Sequence, residues 1–170
     1  MTRRQVNGLC ALLSGALVLA SFYWQYVAQL APCPLCFLQR WIMVALVVWF
    51  GLGAWFTHRA LVIVNQCVIS VTALLGTLIA VRHSWLQVST DDGPTACLPN
   101  LEYMLEFLPV NETFHLLFSH AGGCGQVEWD FLFLTMPMWL IGFFGGFMLV
   151  GLWGFWHLPP AKQSFGLFIK

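Results

Sequence analysis

Cys33 and Cys36, in the run Cys33-Pro34-Leu35-Cys36, are separated by two residues and followed one helical turn later by Arg40. A dithiol so spaced can hold two electrons and exchange them by thiolate attack on a disulfide. It lies between two long apolar runs, a place that packing explains poorly and redox chemistry at a lipid–water boundary explains well. Pro32 and Pro34 shape the entry. A helix starting at about Leu35 or Cys36 would turn its unsatisfied N–H groups toward the Cys36 sulfur and favour the thiolate. Arg40 would share a helical face with Cys36. Its permanent cation would add to that preference and could steady negative charge developing on an electron acceptor beside the thiolate. The plain alternative is an interfacial arginine whose head snorkels to water.

Two more cysteines, Cys97 and Cys124, stand in the long polar segment and enclose residues 98–123. A disulfide between them would restrict the unfolded loop by about 3.5 kcal/mol on a chain-entropy basis. Gly93-Pro94 upstream and Gly122, Gly123 and Gly125 around Cys124 permit sharp turns. Such a bridge reads equally as a structural staple or as a disulfide meant to be opened by an incoming thiol. Zinc held by all four of these cysteines is disfavoured, because zinc ribbons supply two close-spaced pairs and Cys97 and Cys124 are far apart. No metal is expected. Cys10 and Cys67 fall inside apolar runs, where a thiol is a small packing residue.

The elements that must position these groups are membrane spans. Of 170 residues, 59% are hydrophobic and only 8% charged, against roughly 25% charged in soluble domains. Nine tryptophans suit anchoring at two interfaces. Four apolar runs, about 8–28, 37–56, 61–81 and 136–156, are long enough to cross a core that takes roughly 20 helical residues. Each is apolar around its circumference, so none reads as an amphipathic surface helix. The loops fall at about 29–36 and 82–135. The expected fold is thus an all-α bundle of four transmembrane helices with one short and one long loop, a single domain over 1–170.

Charge sets the orientation. Arg3, Arg4, Arg59, Lys162 and Lys170 lie on the amino-terminal side, and only Arg40 and Arg82 on the other. All seven acids fall between Asp91 and Asp130. The positive-inside bias puts both termini in the cytoplasm and both cysteine pairs outside it, where disulfides persist. The same segregation is topological and gives no reason to expect nucleic acid as a partner. The first run reads as an uncleaved span, since no small-x-small cleavage site follows it. Short apolar patches in the long loop, Phe114–Phe118 and Trp129–Leu134, are expected to lie along the membrane surface, with a short helix there.

Two disulfide-capable pairs on one side of a membrane suggest a relay, which needs a terminal acceptor. No haem-attachment, dinucleotide or iron–sulfur spacing occurs in the chain. A lipid-soluble two-electron acceptor, a quinone, fits a dithiol at the bilayer edge.

The runs Cys33-Pro-Leu-Cys36-Phe-Leu-Gln-Arg40, His83-Ser-Trp-Leu-Gln87 and Cys97-Leu-Pro-Asn-Leu-Glu-Tyr-Met-Leu105, with Cys124 followed by Trp129 and Thr135-Met-Pro-Met-Trp139, resemble the disulfide bond formation protein B (DsbB) family. The resemblance covers essentially the whole chain. It implies a bacterial inner-membrane protein-dithiol:quinone oxidoreductase that reoxidises a periplasmic DsbA-type thioredoxin-fold oxidase and passes electrons to ubiquinone, or menaquinone when oxygen is low. Carried over by residue, Cys97 is attacked by the reduced partner, and Cys124 is released and attacks Cys33. Cys36 then donates to the quinone beside Arg40. The redox-active disulfides are Cys33–Cys36 and Cys97–Cys124. His83 and Gln87 match the family's polar stretch by the quinone, or are interfacial polar residues without a chemical role. Cys10 and Cys67 have no part in this relay.

Three other readings compete. A vitamin K epoxide reductase-like protein places its membrane-edge CxxC after the loop cysteines, the reverse of the order here. A tetraspanin-like scaffold stapled by disulfides predicts Cys-Cys-Gly where this chain has Gly122-Gly123-Cys124-Gly125, and leaves Cys33 and Cys36 unexplained. A DsbB paralogue dedicated to one client oxidase shares every motif above.

Overall fold

The computed structural model describes residues 2–27, 33–89, 106–107, 109, 111–112, 130–131 and 134–158. Four helices carry the fold: α1 (Arg3–Tyr26), α2 (Pro34–Trp55), α3 (Arg59–Ser89) and α4 (Met136–Trp156). A two-residue strand β1 (Asp130–Phe131) pairs antiparallel with β2 (Leu134–Thr135) immediately before α4. All four helices are long and apolar enough to cross a membrane, as the apolar runs predict. Cys97, Cys124 and the apolar patch at 114–118 lie outside the described residues.

The helix ends follow from local chemistry. Thr2 caps α1 by accepting from the Gln5 N–H, and the Gln5 side chain accepts in return from the Thr2 N–H, a reciprocal arrangement that satisfies two orphan donors. At the far end of α2 the last carbonyls lack intrahelical donors. Arg3 supplies them, donating to the Gly53 and Phe56 oxygens at 2.9 and 2.7 Å. This ties the start of α1 to the end of α2.

The first three helices start before the apolar stretches that announce them, and the third also ends beyond its stretch. The third continues past Val81 to Ser89, 31 residues in all, or about 46 Å against a hydrocarbon core of about 30 Å. Residues 82–89, expected in the long loop, are therefore helical. Hydrophobicity marks where lipid ends, whereas the backbone ladder stops only when its hydrogen bonds do.

In the interior α1 packs on α2, α2 on α3 and α3 on α4, while α1 and α4 barely touch. Buried positions on α3 (Val62, Gln66, Ile69, Ala73, Gly76, Ala80, His83) alternate steps of four and three, the period of a left-handed helix seam. The core holds Met43, Leu46 and Phe50 of α2 against Ile69 and Ala73 of α3 and Phe144 and Phe147 of α4. Phe50 and Phe147 rings lie 5.3 Å apart, and Phe144 lies over Gly76.

The polarity is inverted relative to a soluble bundle. Asn7, Ser14, Gln39, Asn65, Gln66, His83 and Ser84 are buried, while Leu12, Leu19, Val64, Leu78 and Leu149 are exposed. Lipid tails are as apolar as leucine, so the inner face is picked out by small and polar side chains. The amides of Asn7 and Asn65 converge on Gly53, Gln66 packs on Gly154 and Ser70 on Gly151. Exposed Trp41 and Trp85 stand toward one end of the bundle, and exposed Trp55 and Trp156 at the other, as in the aromatic belts of a spanning protein.

Candidate active site

The dithiol is placed by Pro34. Proline has no N–H to lose and its φ suits the first turn of a helix. The helix accordingly opens at Pro34, with Cys33 in extended backbone as its N-cap. The Cys33 sulfur accepts from the Cys36 N–H at 3.3 Å. A helix start at Leu35 or Cys36 would have given the terminal N–H groups to Cys36. The actual start, one to two residues earlier, gives one of them to Cys33. Cys36 stands in the first turn, its sulfur 2.9 Å from that of Cys33. Both side chains are partly exposed.

Arg40, one turn beyond Cys36, is gripped by the end of α1. Its Nε donates to Ser21 Oγ at 2.6 Å, one terminal nitrogen donates to the Ser21 carbonyl at 3.3 Å, and the other donates to Gln25 Oε1. The guanidinium also lies 4.6 Å over the Phe22 ring, a cation–π contact. A head tied in this way is not snorkelling. Cys36 is within electrostatic reach of it.

From the other side α3 brings His83. Because the helix persists to Ser89, residue 83 keeps the buried register of the seam, and its ring is 2% exposed. Its Nε2 is 3.6 Å from the Cys33 sulfur. Leu35 and Leu86 form a small apolar floor with Cys33, Leu38 and Ile79 packed on it. Gln87, half-buried, is one helical turn beyond His83.

Three helices thus converge on two sulfurs in different surroundings. Cys33 has a backbone N–H and an imidazole; Cys36 has a fixed cation nearby. Of the residues singled out from sequence, Cys33, Cys36, Arg40 and His83 come together here, whereas Cys97 and Cys124 are outside the described residues. Sequence reasoning missed Ser21, Phe22 and Gln25, although Ser21 and Gln25 are polar residues four apart at the end of an apolar run. It also passed over Gln39, between Cys36 and Arg40. The Gln39 side chain is 2% exposed, and neither end of its amide has a hydrogen-bond partner among the described residues.

Comparison with known proteins shows the family. A protein-family model described as "Disulfide bond formation protein DsbB" matches residues 3–154. The chain is 37% identical over 162 residues to a Disulfide bond formation protein B of Hahella chejuensis, covering 94% of this chain and 97% of that one. It is 40% identical over 165 residues to its counterpart in Nitrosococcus oceani, covering 93% and 90%. A Marinobacter nauticus protein of the same description is 36% identical over 157 residues, covering 89% and 91%.

Proposed function

This chain belongs to the DsbB family of disulfide bond formation proteins, and from that premise we propose that it is a quinone-dependent thiol oxidase reoxidising a periplasmic DsbA-type thioredoxin-fold oxidase. It is a multi-pass membrane protein with four spans. The membrane would be the bacterial inner membrane, with both termini cytoplasmic. In support, Arg3, Arg4 and Arg59 cluster at one end of the bundle and the dithiol stands at the other.

In this reading the partner's thiolate attacks Cys97, giving a mixed disulfide and releasing Cys124. The Cys124 thiolate attacks Cys33 and breaks the Cys33–Cys36 bond, freeing Cys36 as a thiolate. The remaining partner thiol resolves the mixed disulfide at Cys97. Cys36 gives up an electron pair, and exchange restores both disulfides. Per cycle one partner dithiol loses two electrons and two protons. A quinone held beside the dithiol, ubiquinone or menaquinone, would supply the sink for those two electrons and two protons.

The observation that carries the proposal is the convergence on one dithiol of a cation tied down by α1 and an imidazole brought by α3. Those residues fit a ring with two carbonyls. Arg40 keeps a positive charge beside Cys36, and the buried amide of Gln39 has unused hydrogen-bonding capacity. Cys36, Arg40 and His83, with Gln87 further out, would hold the acceptor.

The relay has a direct test. A Cys124→Ser variant mixed with reduced DsbA-type protein is expected to accumulate a mixed disulfide through Cys97, identified by peptide mass. Trapping through Cys33 would reverse the order of the relay. No covalent complex with any thioredoxin-fold partner would remove the proposed substrate.

A further inference from the structure

We propose that the reduced form of this dithiol, with His83, is a binding site for a soft divalent cation of the zinc class. The sulfurs of Cys33 and Cys36 and a ring nitrogen of His83 all lie within 4.8 Å of one another, with Cys33 Sγ 3.6 Å from His83 Nε2. A tetrahedral ion with zinc–sulfur bonds of about 2.3 Å and zinc–nitrogen bonds of about 2.0 Å sets its donors roughly 3.5–3.8 Å apart. The Cys33–His83 pair already has that separation. The two sulfurs, 2.9 Å apart, reach it by a small opening about their Cα–Cβ bonds. This trio differs from the four-cysteine arrangement that the sequence disfavours, because its third ligand comes from the third helix and not from the long loop.

The surroundings suit capture as well as the distances do. His83 is held in the seam with its ring almost fully buried, so one ligand is preorganised. Cys33 and Cys36 are partly exposed, which leaves a way in and a fourth position for water, as in zinc sites with three protein ligands. The Cys33 sulfur already accepts from the Cys36 N–H, the kind of outer-shell bond that orients a thiolate ligand. Arg40 beside Cys36 opposes a second cation. Two thiolates outweigh it, and the Ser21 and Gln25 contacts keep the guanidinium on the α1 side.

Binding needs no electron transfer. The ion displaces one proton from each thiol, takes a lone pair from each sulfur and one from the imidazole, and changes no oxidation state. In the disulfide no thiolate exists and the site vanishes. Metal affinity is therefore gated by redox state. If the proposed relay holds, the ion occupies the sulfurs that must pass electrons on, making the oxidase reversibly sensitive to zinc. The binding itself does not depend on that reading.

The test uses purified full-length protein in detergent, carrying Cys97→Ser, Cys124→Ser, Cys10→Ala and Cys67→Ala so that only Cys33 and Cys36 remain. It is reduced, freed of reductant without air, and titrated with Cd2+ while the ultraviolet thiolate-to-cadmium band is followed. One ion per chain is expected on reduced protein and none after oxidation. His83→Ala and His83→Gln should each weaken binding by at least the roughly 10–100-fold that loss of an outer-shell partner alone costs, with helicity by circular dichroism unchanged. Zn2+ should compete for the site and protect both thiols from alkylation.

Absence of a one-to-one band, or equal affinity in both folded His83 variants, overturns the proposal. Quinone and partner are absent from the titration, so its failure is distinct from failure of the oxidase reading. A protein that binds Cd2+ but never oxidises a partner sinks only the latter, and an active oxidase without the band sinks only the former.

Discussion

Cys33 and Cys36 are chemically alike and differ only in what surrounds them. One accepts a backbone N–H and faces an imidazole; the other stands near a guanidinium held on three sides. Replacing Arg40 by Gln removes a charged group whose hydrogen bonds are each worth about 1.5–3 kcal/mol, or roughly 10–150-fold. The loss should appear in quinone reduction, with disulfide exchange at Cys97 unaffected. Gln25→Leu keeps the charge and removes one of those hydrogen bonds, about 1.5–3 kcal/mol of anchoring, while Ser21 and Phe22 still hold the guanidinium; steady-state kinetics should show a decrease smaller than that for Arg40→Gln. An equal effect of both substitutions would mean that the charge itself does nothing. The cysteines and Arg40 were legible in the sequence because their spacing is local. The partners of Arg40 were not, because Ser21 and Gln25 reach it only through the packing of α1 on α2.

At the level of helices, the four spans were legible and their inner faces were not. Hydropathy finds lipid, and in lipid both faces of a helix are apolar. The informative residues were the exceptions: Asn7, Ser14, Asn65 and Gln66, which mark the interior, and the glycines opposite them. A Cβ added at Gly76 would come within 2.7–2.9 Å of three atoms of the Phe144 ring. Gly76→Ala should therefore cost about 1–3 kcal/mol by overpacking, read as a lowered melting temperature in detergent, and Phe144→Leu in the same chain should recover part of it. Gly142→Ala, where nothing lies within 4 Å, should leave melting unchanged. Asn65 presents the opposite case. Its amide is buried without a partner among the described residues, so Asn65→Leu should be neutral or stabilising. A loss above about 1 kcal/mol would mean that Asn65 makes a buried hydrogen bond. The extension of α3 to Ser89 was hidden for a related reason, since Arg82, His83 and Gln87 read as the end of a span although the backbone runs on.

Taken as a whole, the molecule is polarised, with a cationic end held by Arg3 on the carbonyls of α2 and the dithiol at the other end, about 25 Å along α2 from Gly53 to Cys36 by helical rise. The orientation makes its own prediction. In intact spheroplasts a membrane-impermeant maleimide should label reduced Cys33 and Cys36 in a chain lacking other cysteines, and should miss a cysteine introduced at Thr57 until the membrane is opened. The reverse pattern would place the dithiol in the cytoplasm and end the periplasmic reading.

In the proposed reaction, electrons leave the partner through Cys36 to a quinone. Its most direct measurement is the yield of quinol per partner dithiol oxidised by the purified protein in proteoliposomes without oxygen. One quinol per disulfide formed is predicted, with Cys36→Ser abolishing both. Partner oxidation that proceeds without quinone, or a Cys36→Ser protein that keeps full quinol production, would contradict it.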